Sequence, residues 1–177
     1  MLGERKLLGL GFGGWLLNLT LAILIAFVVV LFAFQPVQVE GYSMMPHLQN
    51  RERLLIDKVS FGVQPLQRGD VVVFHYPLDP SQIFIKRIIG LPGDHLVIWD
   101  GTVYINGNKL IEPYVKKKFQ DYADFSEVTV PPREYYVLGD HRNSSNDSRF
   151  WGCLPSKDIF GRAVFAYWPP ADLGLIH

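Results

Sequence analysis

Cysteine is nearly absent from this chain: Cys153 stands alone among 177 residues. One thiol cannot close an intrachain disulfide, and it excludes any zinc site of the multi-cysteine kind. The five histidines (His47, His75, His95, His141 and His177) show no ligand spacing such as H-E-x-x-H. The sequence therefore offers no metal centre, and no cofactor is expected. Neither sign of charge dominates, since 17 Lys plus Arg balance 17 Asp plus Glu. No global basic field exists to hold nucleic acid. Charge is scarce as well, at 19% of residues against roughly 25% in ordinary soluble domains. Internal repeats and low-complexity tracts are missing too, and with 49% apolar residues the chain is neither disordered nor collagen-like.

The apolar excess is concentrated. From Trp15 to Phe34 the chain reads WLLNLTLAILIAFVVVLFAF, 20 residues without a charge. At about 1.5 Å per residue, a helix of that length spans about 30 Å, the thickness of a bilayer's hydrocarbon core. A buried core helix is usually shorter and amphipathic, and the apolar region of a signal peptide runs only about 7–15 residues. The following Gln35-Pro36-Val37-Gln38-Val39-Glu40 lacks a small-residue cleavage site, so the run predicts an uncleaved anchor. Arg5 and Lys6 precede it, whereas no Lys or Arg occurs between Phe34 and Arg51. The positive-inside rule then puts the N-terminus in the cytoplasm. The expected division is a cytoplasmic N-terminus and anchor over 1–34 and an extracytoplasmic body over 35–177.

That body reads as strands. Leu54–Ile56, Val71–Phe74, Ile83–Ile89, His95–Trp99, Val103–Ile105 and Tyr135–Leu138 are short and rich in β-branched and aromatic residues. Turn signals separate them, and Asp100-Gly101 with Asn106-Gly107 predicts tandem hairpins over Val97 to Leu110. The expected fold is mainly β: a single N-terminal transmembrane helix followed by a partly coiled all-β body.

Three polar clusters are candidates for chemistry. In Gly41-Tyr42-Ser43-Met44-Met45-Pro46, glycine permits unusual backbone angles and proline ends the segment. A serine held there can present its hydroxyl and its own amide to one carbonyl, although a plain juxtamembrane turn explains the same residues. In Ile83 to Asp94, strand alternation places Phe84, Lys86 and Ile88 on one face. A lysine between two large apolar neighbours is either an edge residue that snorkels to water or a desolvated general base. An ordinary lysine, with a pKa of about 10.4, is neutral in only about one molecule in two thousand at pH 7. Lowering that value by about three units costs roughly 4 kcal/mol, which burial can supply. The third cluster, Leu138 to Arg149, is either a solvated loop or one made rigid by paired Asp and Arg. A Ser–His–Asp arrangement around His141 and Asp140 is a further option. It is disfavoured because adjacent residues rarely point at each other and the orienting Asp of a triad normally comes from elsewhere in the chain.

Taken in order, these clusters resemble the type I signal peptidase family, the bacterial leader peptidases. The resemblance runs through the anchor, Gly41 to Pro46, Arg68-Gly69-Asp70-Val71-Val72-Val73-Phe74, Lys86 to Asp94, Gly139 to Arg149 and Trp151-Gly152. It implies a membrane-bound serine endopeptidase of the signal peptidase fold that cuts signal peptides from exported preproteins through an acyl-enzyme. By that resemblance Ser43 is the nucleophile, Lys86 the general base and Ser145 the serine that hydrogen-bonds and orients the lysine. The Ser43 amide is one oxyanion donor. Some relatives place a serine hydroxyl where Gly41 stands, so a second donor here would have to come from backbone at Gly41. Val39, Met44, Phe84 and Ile85 are the implied substrate linings, and Asp140, Asp147 and Arg149 a structural network.

The implied partners are exported preproteins, membrane lipid and the protein translocation machinery, with no nucleic acid. The implied address is the inner membrane of a cell. Alternatives are an organellar or thylakoid processing peptidase of the same dyad type, and an inactive tethered β-module that binds exported chains. The chain departs from the family pattern at His47, where Thr is common, and at His141 and Ser144, where Asn is usual. Its length implies a reduced accessory β region at about 95–130.

Overall fold

The computed structural model describes residues 9–60 and 64–176. Arg5 and Lys6, on which the expected orientation rests, lie outside the described residues, as does His177. Helix α1 spans Gly9–Ala33. Its 20-residue stretch Gly14–Ala33 is long and apolar enough to cross a membrane, and none of it is buried against the protein. Apolar side chains cover its whole circumference, which suits lipid rather than an aqueous surface. Thr20 satisfies its hydroxyl within the helix by donating to the Leu16 carbonyl at 2.9 Å. The helix ends one residue before the apolar run does, because Phe34 is already the first residue of a strand. Lys58 N–H donates to the Ala33 carbonyl at 2.8 Å, so the body satisfies a helix-end acceptor.

The body has two antiparallel sheets. The larger contains β1 (Phe34–Gln38), β2 (Arg53–Asp57), β3 (Val71–Tyr76), β4 (Asp79–Gly90), β9 (Glu134–Leu138), β10 (Leu154–Pro155), β11 (Ile159–Trp168) and β12 (Gly174–Leu175). Its order is β1-β2-β11-β3-β4-β9-β10, with β12 beside β11. The smaller sheet has the order β7-β6-β5-β8, from β5 (His95–Trp99), β6 (Thr102–Ile105), β7 (Asn108–Lys109) and β8 (Phe125–Thr129). This smaller sheet occupies the stretch expected for the accessory region. Asp100-Gly101 and Asn106-Gly107 all have positive φ, between 45° and 79°, as two-residue hairpin turns require. A one-turn helix, α2 (Ser148–Trp151), closes the loop that begins at Gly139.

Each expected strand is present. Strands β1, β8 and β11 and the two-residue β10 and β12 lie outside the expected set, and β11 is the instructive one. It runs between β2 and β3, yet its sequence, IFGRAVFAYW, carries Gly161, Ala163 and Ala166 on the inward side. A Cβ at Gly161 would fall 3.0 Å from the Asp57 carbonyl oxygen and closer still to Ile56. Small residues are needed for that approach, and small residues carry little strand signal.

Strand β4 positions the site. One edge pairs with β3 from Asp79 to Arg87. The other pairs with β9 only from Arg87 onward, which leaves an unpaired edge from Asp79 to Lys86. Beneath it, Val39, Met44, Leu48, Leu54, Val71 and Val73 pack as one core. Phe74, Ile88, Val137 and Leu154 belong to a second core, and Leu96, Val103 and Tyr136 to a third under the small sheet. Burying one such Leu or Phe side chain contributes about 1.5–3 kcal/mol.

Candidate active site

The segment after β1 turns back sharply and is pinned at both ends. Val39 N–H donates to Glu52 O and Arg51 N–H to Val39 O, each at 2.8 Å. Gly41 takes φ of 101°, a conformation that strains any residue with a Cβ. Met45 N–H then donates to Tyr42 O at 3.1 Å, and Leu48 N–H to Met44 O at 2.9 Å. The buried side chains of Met44 and Leu48 hold this tight turn against the first core. Ser43 sits at its apex, half-buried.

Lys86 reaches the same point from the open edge of β4. Its Nζ lies 2.8 Å from Ser43 Oγ and 3.0 Å from the Ile85 carbonyl oxygen. The Phe84 ring, on the same strand face, is 5.1 Å away. The residue is only 4% exposed, and no carboxylate pairs with its amine among the described residues. Burial pushes the ammonium down to about 8, while Asp147 and Asp140 pull it back up and Arg149 adds to the depression. At pH 7 that leaves about a tenth of the molecules with a neutral amine, roughly two hundred times the fraction for an ordinary lysine.

A groove of about 660 Å³ runs past the pair. Residues 37–43 form one wall, residues 81–86 the other, and Ser144 and Asn146 stand at its margin. Both walls are strand edges: β1 ends the large sheet, and β4 is unpaired there. Lys86 bonds the Ile85 carbonyl on the side away from β3, so Ile85, and Ile83 by alternation, turn main-chain groups into the groove. The cavity is shaped for an extended peptide.

Of the expected linings, Val39, Phe84 and Ile85 face the groove. Met44 does not: at 1% exposure it is a core side chain beneath the turn. Gly41 lines the groove, but its N–H already donates to Asn50 Oδ1 at 3.0 Å. An amide has one hydrogen, so Gly41 supplies no second oxyanion donor in this structure. The Ser43 N–H, by contrast, is engaged by no acceptor among the described residues. Ser145 Oγ is buried without a hydrogen-bond partner, so its expected bond to Lys86 is not formed here. It lies against Gly139, where a Cβ would clash with it and would stand 2.5 Å from the Ser43 carbonyl oxygen. Glycine at 139 is thus what lets the loop approach the Ser43 turn.

The Gly139 to Arg149 loop is held by ions, although most partners come from outside it. Asp140 takes Arg87 Nε and Nη2 at 2.9 and 2.7 Å, with both groups buried. Arg87 also donates to Gly69 O at 2.8 Å, which ties in the 67–70 turn. Asp147 accepts from Gly139 N–H at 3.0 Å and from Arg149 Nε at 2.8 Å. Arg149 continues to Asp121 at 2.8 Å, and Arg142 bonds Glu112. Only Asp147–Arg149 is a pairing within the loop. Arg87, Glu112 and Asp121 escape a sequence reading because nothing in a one-dimensional pattern marks which distant charge answers a buried one.

A Ser–His–Asp arrangement is not assembled. Asp140 is committed to Arg87, and His141 Nδ1 lies 3.0 Å from the Tyr42 carbonyl oxygen rather than on the Ser43 hydroxyl.

Known proteins resemble this chain in sequence and in fold. The sequence profile of the family described as "Signal peptidase, peptidase S26" matches residues 13–168. The chain is 38% identical over 163 residues to a probable signal peptidase I-1 of Synechocystis sp., covering 88% of this chain and 82% of that protein. It is 40% identical over 160 residues to a signal peptidase I of Bacillus caldolyticus, covering 84% of this chain and 87% of the relative. Among solved structures, it resembles a signal peptidase I of Enterococcus faecalis V583 with a TM-score of 0.50 and 36% identity. That match covers 56% of this chain and 97% of the other.

Proposed function

This chain belongs to the signal peptidase family of peptidase S26 enzymes, and on that premise we propose that it cleaves signal peptides from exported preproteins by a Ser43–Lys86 dyad. The observation that carries the reading is a buried amine without a carboxylate partner, 2.8 Å from a serine hydroxyl on the wall of a peptide-shaped groove. A preprotein's cleavage region lies extended between the edge of β1 and the open edge of β4, and bonds main-chain groups at Ile83 and Ile85. Val39, Phe84 and Ile85 shape the apolar floor that receives its small side chains. The seated substrate excludes water from Lys86, which favours the neutral amine further.

Neutral Nζ then takes the Ser43 proton as Oγ forms a bond to the scissile carbonyl carbon, and the oxyanion is met by the Ser43 N–H. The resulting ammonium donates its proton to the leaving amine as the peptide bond breaks. Water enters and gives a proton to Nζ as its oxygen bonds the acyl carbon, and Nζ returns that proton to Ser43 Oγ as the ester bond breaks, which restores the free hydroxyl and the neutral amine. The Ile85 carbonyl accepts one N–H of the amine throughout, which aims the lone pair at the hydroxyl.

Helix α1 is long and apolar enough to cross a membrane; in this reading it anchors the enzyme as a single span, and Arg5 and Lys6 before it favour an extracytoplasmic body. Ser43 follows Phe34 by the remaining residues of β1 and a turn, so it stands within about 30 Å of the lipid surface. Confinement with a substrate whose own apolar segment sits in the same membrane raises the effective concentration of the pair. The test uses the full chain in detergent or lipid vesicles with a preprotein. Wild type releases the mature protein, whereas Ser43→Ala and Lys86→Ala do not. Cleavage that survives Ser43→Ala overturns the dyad reading.

A further inference from the structure

The peptide bond between Tyr42 and Ser43 has two ends that matter. Its N–H is the one proposed above to meet the oxyanion. Its carbonyl accepts from Met45 N–H within the turn, at 3.1 Å, and is held from the loop side by His141. His141 Nδ1 lies 3.0 Å from Tyr42 O. A carbonyl oxygen only accepts, so Nδ1 carries the hydrogen, and the tautomer is thereby fixed. His141 N–H also donates to Ser43 O at 3.0 Å, so one residue grips consecutive carbonyls of the nucleophile turn. The neighbours of His141 are fixed in turn: Asp140 by Arg87 in two bonds, and Arg142 by Glu112 and by Gly139 O at 3.0 Å.

The imidazole has a platform. The buried Phe119 ring lies 4.1 Å from it, centroid to centroid. Phe119 closes a 3₁₀ turn, Lys117–Phe119, in the connection between β7 and β8 of the small sheet. That connection is tied to the same loop through Asn143 Nδ2, which donates to Lys118 O at 3.2 Å, and through the Arg149–Asp121 pair.

A peptide unit is planar, so fixing the direction of its C=O fixes the direction of its N–H. A hydrogen bond to the carbonyl also polarises the unit and makes that N–H a stronger donor. We propose that His141, braced by Phe119, is a positioning residue that aims the Ser43 N–H at the transition-state oxyanion by holding the Tyr42 carbonyl. This inference rests on the reading of Ser43 as nucleophile. It assigns the small sheet a part in catalysis, as the support for one oxyanion donor.

A donor of this kind acts on the transition state rather than on the bound peptide, so its loss falls on kcat. Removing an oxyanion donor outright costs about 10²–10³ in kcat, and misaiming one is expected to cost less, about 10- to 50-fold. The experiment measures kcat and KM for preprotein cleavage by the full chain in detergent, with thermal unfolding alongside. His141→Ala is expected to lower kcat about 10- to 50-fold with KM within about twofold. In His141→Asn the side-chain nitrogen stands the same number of bonds from Cα as Nδ1. It therefore keeps the bond to Tyr42 O and recovers most of the loss. Phe119→Ala, which leaves both hydrogen-bonding groups in place, gives an intermediate kcat. Wild-type kcat in His141→Ala, no recovery in His141→Asn, or a loss that falls on KM and unfolding temperature instead would overturn the proposal. Ser43→Ala is run in parallel: inactivity there beside an unaffected His141→Ala sinks this inference alone, while cleavage by Ser43→Ala ends both readings.

Discussion

Lys86 and Arg87 are neighbours on β4, both cationic in type and both buried, at 4% and 1% exposure. Arg87 is answered in full. Asp140 takes two of its donors, Gly69 O a third, and the Tyr114 ring stacks 4.2 Å from its guanidinium carbon. Lys86 is given a hydroxyl and a carbonyl oxygen, neither of which carries charge. One buried cation with a counter-ion is a rivet between strands and loop. The other, without one among the described residues, is pushed toward its neutral form, the form that the proposed base requires. The boundary between these two environments is where β9 begins to pair with β4, at Arg87.

The sharpest way to break this contrast is to give position 86 a group that cannot deprotonate. Lys86→Arg keeps a cation of similar reach, but guanidinium stays charged in the working range. Loss of a general base costs about 10²–10⁴ in rate, so preprotein cleavage is expected to fall at least about a hundredfold. Cleavage within tenfold of wild type would mean that Lys86 is not the base. The next test acts on the rivet. Asp140→Ala removes both carboxylate bonds from the buried Arg87, which destabilises by about 3–5 kcal/mol. Replacing both partners with apolar residues (Arg87→Met with Asp140→Leu) is expected to cost less than Asp140→Ala alone, as read by unfolding in detergent.

Position 86 answers in the opposite direction. Its folded pKa of about 8 lies below the ordinary value of 10.5. The charged amine therefore burdens the fold fully below about pH 8, and the burden fades as pH rises to the unfolded value. Lys86→Met is expected to be inactive yet more stable at pH 7 by up to about 3 kcal/mol, with the gain shrinking between pH 8 and 10.5. A Lys86→Met protein less stable than wild type at pH 7 would show that the amine is adequately solvated or paired.

How far these two roles were legible in the sequence differs between them. Ser43 and Lys86 stand in local patterns, a glycine-led turn and an alternating strand, and both patterns survive folding. The paired turns at Asp100-Gly101 and Asn106-Gly107 are legible for the same reason, since φ is decided residue by residue. Met44 misled because a residue beside a nucleophile in sequence is not beside it in space: the turn sends its side chain inward. Gly41 misled because nothing local shows that Asn50 takes its amide. Strand β11 was hidden by the very residues, Gly161 and Ala163, that let it fit between its neighbours. The answering charges, Arg87 to Asp140 and Arg142 to Glu112, depend on long-range pairing and have no signature along the chain.

The central claim is that Lys86 works as a neutral amine, and the pH dependence of kcat/KM for preprotein cleavage tests it most directly. Protonated amine is inactive, so the rate is expected to climb about tenfold per pH unit from acid and to level off above a single inflection near 8. An inflection near 10.5, where an ordinary solvated lysine titrates, or a rate that does not change with pH across this range, would contradict it.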